Sequence, residues 1–153
     1  MTTNAAPVVK TEMLIRRPVA EVFEAFVDPG VTANFWFTHG SSRLERGARV
    51  RWSWEMYGAS TEVRVLDLEP DARIRIEWDD PATQVEWAFT PRPDGTTYVV
   101  ITHSGFAGGE DDVVRQALDS MGGFSFVLAG AKAWLEHGVR LNLVADHYPD
   151  AHV

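Results

Sequence analysis

Residues 113–145 have the sequence VVRQALDSMGGFSFVLAGAKAWLEHGVRLNLVA, in which apolar residues recur at helical spacing on two adjoining stripes. The first stripe is Val114, Leu118, Met121, Ser125 and Leu128, and the second is Val113, Ala117, Ser120, Phe124, Val127, Ala131 and Trp134. Residues three and four positions apart share one face of an α-helix, so the stripes predict a long helix with a wide apolar arc. An arc of this width requires a large covering surface. Gly122 and Gly123 predict a bend or a break in the helix, because glycine is a poor helix former.

The chain before this helix supplies the covering surface as strands. Six segments carry β-branched residues or alternate apolar with polar residues, and they lie at 8–15, 50–56, 61–69, 73–78, 85–89 and 96–103. Two short amphipathic helices, at 18–27 and 31–36, follow the first strand. This order predicts an α+β fold in which one curved antiparallel sheet wraps around the long C-terminal helix. We expect one domain over residues 8–148, with tails at 1–7 and 149–153.

Composition argues against several classes of protein. The chain has 153 residues, no cysteine and a formal net charge of -8. The absence of cysteine excludes a disulfide scaffold and a thiol nucleophile, and the acidic balance argues against a nucleic-acid partner. No segment reaches the roughly 18 apolar residues of a membrane span, and the start MTTNAAPVVK lacks the pattern of a signal peptide. We therefore expect a cytoplasmic protein without membrane insertion.

Three stretches of the chain resemble a known family. They are RPVAEVFEAFVDPGVTANFW (17–36), TTYVVITHSGF (96–106) and KAWLEHGVRLNLVADHYPD (132–150). They are similar to the first helices, the last strand and the terminal helix of the AHSA1-like proteins, named after the activator of Hsp90 ATPase. That family is a branch of the START-like, or Bet v 1-like (SRPBCC), superfamily, and the resemblance implies a helix-grip fold. The superfamily includes lipid and hormone carriers, cyclases and a co-chaperone, so function has to be argued from the site.

The strand parities place a bulky apolar set on the side of the sheet that faces the helix. The predicted ligand contacts from the sheet are Trp52, Trp54, Met56, Trp78, Trp87 and Phe89, and those from the helix are Met121, Phe124, Ser125 and Leu128. Large flat side chains opposite small ones predict a cavity between sheet and helix. The alternative is that the indoles fill this space as an ordinary core.

His103 lies on the same inner face, because it follows Val99 and Ile101 at two-residue spacing along the last predicted strand. A histidine in this position either orients a polar group of a ligand or is a core residue that hydrogen-bonds to a neighbour. It is also the candidate acid or base if the cavity catalyses a reaction.

The leading hypothesis is a protein that binds a small hydrophobic ligand, aromatic or lipid-like, in this cavity. Two alternatives remain open: a cyclase- or hydrolase-like enzyme that uses His103 as acid or base, and a stress-response co-chaperone of the Hsp90-activator type. The sequence has no Gly-x-Ser-x-Gly, no His-Glu-x-x-His and no glycine-rich phosphate loop, so we expect no cofactor and no metal site. We expect a monomer or a homodimer, and the aromatic cluster Phe35-Trp36-Phe37 is a candidate dimer surface.

Overall fold

The computed structural model describes residues 6–78 and 82–150. The predicted turn at 79–81, the first five residues of the N-terminal tail and residues 151–153 lie outside the described residues. The strands are β1 (Val9–Ile15), β2 (His39–Gly40), β3 (Arg49–Trp54), β4 (Ala59–Glu69), β5 (Arg73–Trp78), β6 (Thr83–Pro91) and β7 (Thr97–Ser104). The helices are α1 (Val19–Val27), α2 (Pro29–Thr32), α3 (Glu110–His137) and α4 (Leu143–His147).

The seven strands form one antiparallel sheet in the order β1-β7-β6-β5-β4-β3-β2. Its first strand is followed by the two short helices, and its last strand leads into the long helix α3. The predicted α+β helix-grip fold is therefore confirmed. In the register of the sheet His103 stands between Val9 of β1 and Val85 of β6, and it is buried with Val99 and Ile101, as the parity of β7 predicts.

The second short helix ends earlier than the sequence predicts. The side chain of Asp28 accepts a hydrogen bond of 2.9 Å from the backbone N–H of Gly30, so α2 begins at Pro29. The helix ends at Thr32 rather than at Trp36. The residues that follow turn inward and bury the cluster Phe35-Trp36-Phe37. The prediction that this cluster forms a dimer surface is therefore wrong, because its rings belong to the core.

The strand predicted at 50–56 is also too long. β3 ends at Trp54, and a 3₁₀ turn over Glu55–Tyr57 leads to Gly58, whose φ of 61° lies in the left-handed region. Met56 therefore leaves the sheet, and the alternation that placed it on the inner face does not reach it.

α3 is continuous through Gly122 and Gly123, so the predicted break is wrong. The buried face of α3 is also narrower than the wide apolar arc that the sequence predicts. The second stripe is the inner one, with Phe124, Val127 and Ala131 buried, whereas Leu118 and Met121 of the first stripe are 67% and 45% exposed. The first stripe becomes buried only at Leu128.

We expect Gly122→Ala to raise the free energy of unfolding by about 0.5–1 kcal/mol, because alanine loses less backbone entropy than glycine in a helix. No atom lies within 4 Å of a Cβ added at Gly122. The control is Gly130→Ala on the same helix, where the added Cβ would lie 3.1 Å from Cβ and 3.2 Å from the carbonyl oxygen of Phe35. Urea unfolding measures both changes, and an equal gain in the two variants would contradict the expectation.

Candidate functional site

A cavity of about 550 Å³ lies between the sheet and the N-terminal half of α3. Its volume falls within the range of about 300–1,000 Å³ that is typical of ligand sites. The wall consists of Trp36, Tyr57, Trp78, Thr83, His103, Phe106, Gln116, Asp119, Ser120, Gly123, Phe124, Phe126, Val127, Val144, His147 and Tyr148. Aromatic rings therefore supply most of the large side chains of the wall.

Three of the residues predicted as ligand contacts line this cavity, namely Trp78, His103 and Phe124. Four others, Trp52, Trp87, Phe89 and Leu128, are buried in the solid core. Trp54 lines an adjoining pocket of about 310 Å³, and Met56 lines a smaller one of about 160 Å³. Met121 and Ser125 lie on the exposed side of α3, where the Ser125 hydroxyl donates to the carbonyl of Met121 at 2.7 Å, so they do not face the cavity.

Trp36 explains why the predicted and observed walls differ. Its ring lies 4.8 Å from that of Trp52, 6.0 Å from Trp87 and 5.7 Å from Phe124, measured between centroids. The indole thus fills the space over the middle of the sheet. The open volume lies beside it, next to Trp78 at the end of β5, Thr83 at the start of β6 and His103 near the end of β7. Trp52 and Trp87 are part of a filled core, as the alternative interpretation of the indoles predicted, and the cavity lies beside them.

His103 stands at the centre of the polar wall of this cavity, with partners from three elements. Its Nδ1 lies 2.7 Å from Oγ of Ser120 on α3. Its Nε2 lies 2.7 Å from Oγ1 of Thr83, at the start of β6, and accepts a hydrogen bond of 3.2 Å from the indole N–H of Trp78, at the end of β5. Neither Ser120 nor Thr83 was among the predicted ligand contacts. Ser120 belongs to the second helical stripe, whose spacing is a signal that could have identified it, whereas Thr83 carried no comparable signal.

These hydrogen bonds assign the tautomer of His103. An indole N–H can only donate, so Nε2 is the acceptor and Nδ1 carries the ring proton, which it donates to Ser120. The hydroxyl of Ser120 keeps its own proton, and this side chain also lines the cavity. The hydroxyl is therefore placed to donate to a molecule in the cavity.

The imidazole of His103 is neutral near pH 7. Its side chain is 4% exposed, and burial lowers its pKa from 6.5 to about 4. The Trp78 donor at Nε2 acts in the same direction, because a proton on Nε2 would face another proton. At His103 the wall therefore presents neutral hydrogen-bonding groups and no positive charge.

The short helix α4 forms one side of the cavity with Val144, His147 and the adjacent Tyr148. The hydroxyl of Tyr57 donates a hydrogen bond to the carbonyl of Val144. The ring of His147 lies 4.6 Å from that of Phe126 on α3. α4 is therefore held to the sheet side through Tyr57 and to α3 through Phe126.

Residues 6–78 and 82–150 contain neither a metal-binding cluster nor a membrane-spanning helix. This part of the chain contains no group of three or more His, Cys, Asp or Glu side chains that could hold a metal ion. None of its helices is both long enough and apolar enough to cross a bilayer.

Comparison with known proteins identifies the family. The model for activator of Hsp90 ATPase homolog 1-like protein matches residues 16–123. A search of curated proteins finds no match. Among solved structures, a protein of Staphylococcus saprophyticus is 32% identical with a TM-score of 0.78, over 88% of this chain and 96% of that chain.

Two more distant structures share the fold. DynU16, from the dynemicin biosynthetic locus, is 23% identical with a TM-score of 0.72, over 87% of this chain and 48% of that chain. The Aha1 dimer of Colwellia psychrerythraea is 15% identical with a TM-score of 0.72, over 86% of this chain and 98% of that chain. At these identities the likeness concerns the fold alone.

Proposed function

We propose that this chain, which belongs to the family of activator of Hsp90 ATPase homolog 1-like proteins, binds a small, flat and largely apolar molecule in the cavity between the sheet and α3. The observation that carries the proposal is an open volume of about 550 Å³ whose wall combines aromatic rings with a Ser120 hydroxyl that is held by His103. Concave apolar sites with a few placed polar groups are where small molecules usually bind.

The aromatic part of the wall supplies the contact area for binding. Trp36, Trp78, Phe106 and Phe124 present rings to the open volume. Trp78 and Phe124 lie 5.8 Å apart with their planes inclined by 36°, and Trp36 lies 5.9 Å from Trp78. Rings at such distances bind a further ring by offset or edge contacts, so a flat aromatic ligand suits this wall better than a long alkyl chain does.

The polar part of the wall orients the ligand. Ser120 is held by His103, which in turn is held by Trp78 and Thr83, so the serine oxygen has a fixed position. A ligand that places an acceptor there gains one hydrogen bond without ordering a mobile side chain.

The same hydrogen bonds favour a binding role for His103 over an acid–base role. A general base needs a ring lone pair within reach of the substrate. The lone pair of Nε2 already accepts from Trp78 and faces the Thr83 hydroxyl, and Nδ1 carries its proton towards Ser120.

The experiment is a titration with N-phenyl-1-naphthylamine, an uncharged aromatic dye whose emission rises when it leaves water. Gly123 lines the cavity and a Cβ added there meets no atom within 4 Å, so Gly123→Leu adds a bulky side chain at a point of the wall that has room for its Cβ. We expect this variant to bind the dye at least about tenfold more weakly, because the leucine occupies the space that the dye needs.

The matched control is Gly122→Leu, one position away on the same helix. A Cβ added at Gly122 also meets no atom within 4 Å, but this residue is outside the described cavity wall. The control should bind the dye within about twofold of the parent protein, as expected for a substitution away from the site. No saturable binding to the parent protein, or equal binding to both variants, would reject the proposed site.

A further inference from the structure

The wall of the cavity carries few charged side chains. Among its described residues, the one carboxylate is Asp119, and none is lysine or arginine. The two histidines of the wall are His103 and His147. An anionic group of a ligand would therefore meet no lysine or arginine among the described residues of the wall.

The cations nearest in sequence are engaged elsewhere. Between residues 110 and 150 the basic residues are Arg115, Lys132 and Arg140. Arg115 pairs with Asp112 on the exposed side of α3, and Lys132 lies 2.7 Å from Glu136. Arg140 donates to Asn34 and lies 6.0 Å from the ring of Trp134, so none of the three turns to the cavity.

His103 does not replace a missing cation. The indole N–H of Trp78 points at its Nε2, and the other ring nitrogen donates to Ser120, so both positions are satisfied in the neutral form. Within this hydrogen-bonded group, the Ser120 hydroxyl keeps a proton for a ligand, and it is a neutral donor.

We propose that the cavity selects its ligand by charge, binding flat aromatic compounds that carry an uncharged acceptor such as a ketone and rejecting carboxylates of the same shape. The ketone oxygen accepts the Ser120 hydroxyl proton. A carboxylate would lose its hydration on entry without gaining a lysine or arginine partner in the described wall, which is costly in an apolar site. The inference rests on the proposed binding function and narrows its ligand class.

Three probes with the same ring system test the inference by isothermal titration at pH 7: 2-acetylnaphthalene, 2-naphthoate and 2-ethylnaphthalene. They carry a ketone, a carboxylate and a hydrocarbon group of similar size. We expect the ketone to bind at least about tenfold more tightly than the carboxylate, because only the carboxylate has a charge to desolvate. Equal affinity of these two probes would overturn the inference.

The variant Ser120→Ala tests the hydrogen bond itself. It should weaken binding of the ketone about three- to tenfold and leave the hydrocarbon unchanged, because only the ketone accepts from the hydroxyl. Equal losses for both probes would overturn the role of Ser120.

If N-phenyl-1-naphthylamine binds but the ketone does not, the charge inference fails and the binding function stands. If none of the four compounds binds, the binding function itself fails.

Discussion

Trp87→Ala is expected to lower the free energy of unfolding by about 3–5 kcal/mol, the usual cost of removing a large aromatic side chain from a core. The side chain is 1% exposed, and its ring lies about 6 Å from the rings of Phe26, Trp36 and Phe124, at 6.1, 6.0 and 6.1 Å. Denaturant unfolding followed by far-UV circular dichroism measures the change. A loss below about 1 kcal/mol would show that the ring is not part of a packed core.

Two further variants keep this result interpretable if the alanine variant does not fold. Trp87→Phe retains one ring and removes an indole N–H that has no hydrogen-bond partner among the described atoms, so its loss of stability should be smaller, about 1–2 kcal/mol. Leu118→Ala removes a side chain that is 67% exposed and should change stability by at most about 0.5 kcal/mol.

The second large effect is the pH dependence of stability that His103 introduces. Burial lowers its pKa to about 4 in the folded protein, whereas in the unfolded chain it stays near 6.5. The unfolded state therefore takes up the proton first as the pH falls. The stability contributed by this difference is fully present above about pH 6.5 and is lost between pH 6.5 and about 4, with a total of about 3 kcal/mol.

The measurement compares the parent protein with His103→Gln by urea unfolding at several pH values from 7.5 to 4. Glutamine is polar and does not titrate, so the parent should lose about 3 kcal/mol more than the variant over this range. Carboxylates such as Asp67, whose pKa is lowered chiefly by the hydrogen bond from Arg73, lose their stabilising effect in both proteins. Their contribution cancels in the difference. Parallel pH curves would show that His103 titrates normally in the folded state.

Several features of the fold could be predicted from the sequence because they depend on neighbours along the chain. The spacing of Phe124, Val127 and Ala131 predicts a helix, and α3 forms there. The alternation of Val99, Ile101 and His103 predicts which side of β7 is buried, and the burial of all three agrees. The spacing of apolar residues is a local property of the chain, so it predicts helices and strands without knowledge of the surface that covers them.

The candidate site was less predictable because it depends on contacts between side chains that are distant in sequence. Sequence parity correctly places Trp52 and Trp87 on the inner face, but parity does not say whether a ring faces an open volume or another ring. That outcome depends on Trp36, which comes from an irregular segment after α2 and packs against both. An irregular segment has no regular spacing of apolar residues from which the direction of its side chains could be predicted.

The sequence by itself therefore determined the helix-grip architecture, the inner position of His103 and the acidic character of the protein. The tertiary structure alone decided where the open volume lies, that Thr83 and Ser120 hold His103, and that no lysine or arginine is found in the described wall. The physical reason is range: helices and strands follow from contacts within a few residues, whereas a cavity is the space left after side chains distant in sequence have packed.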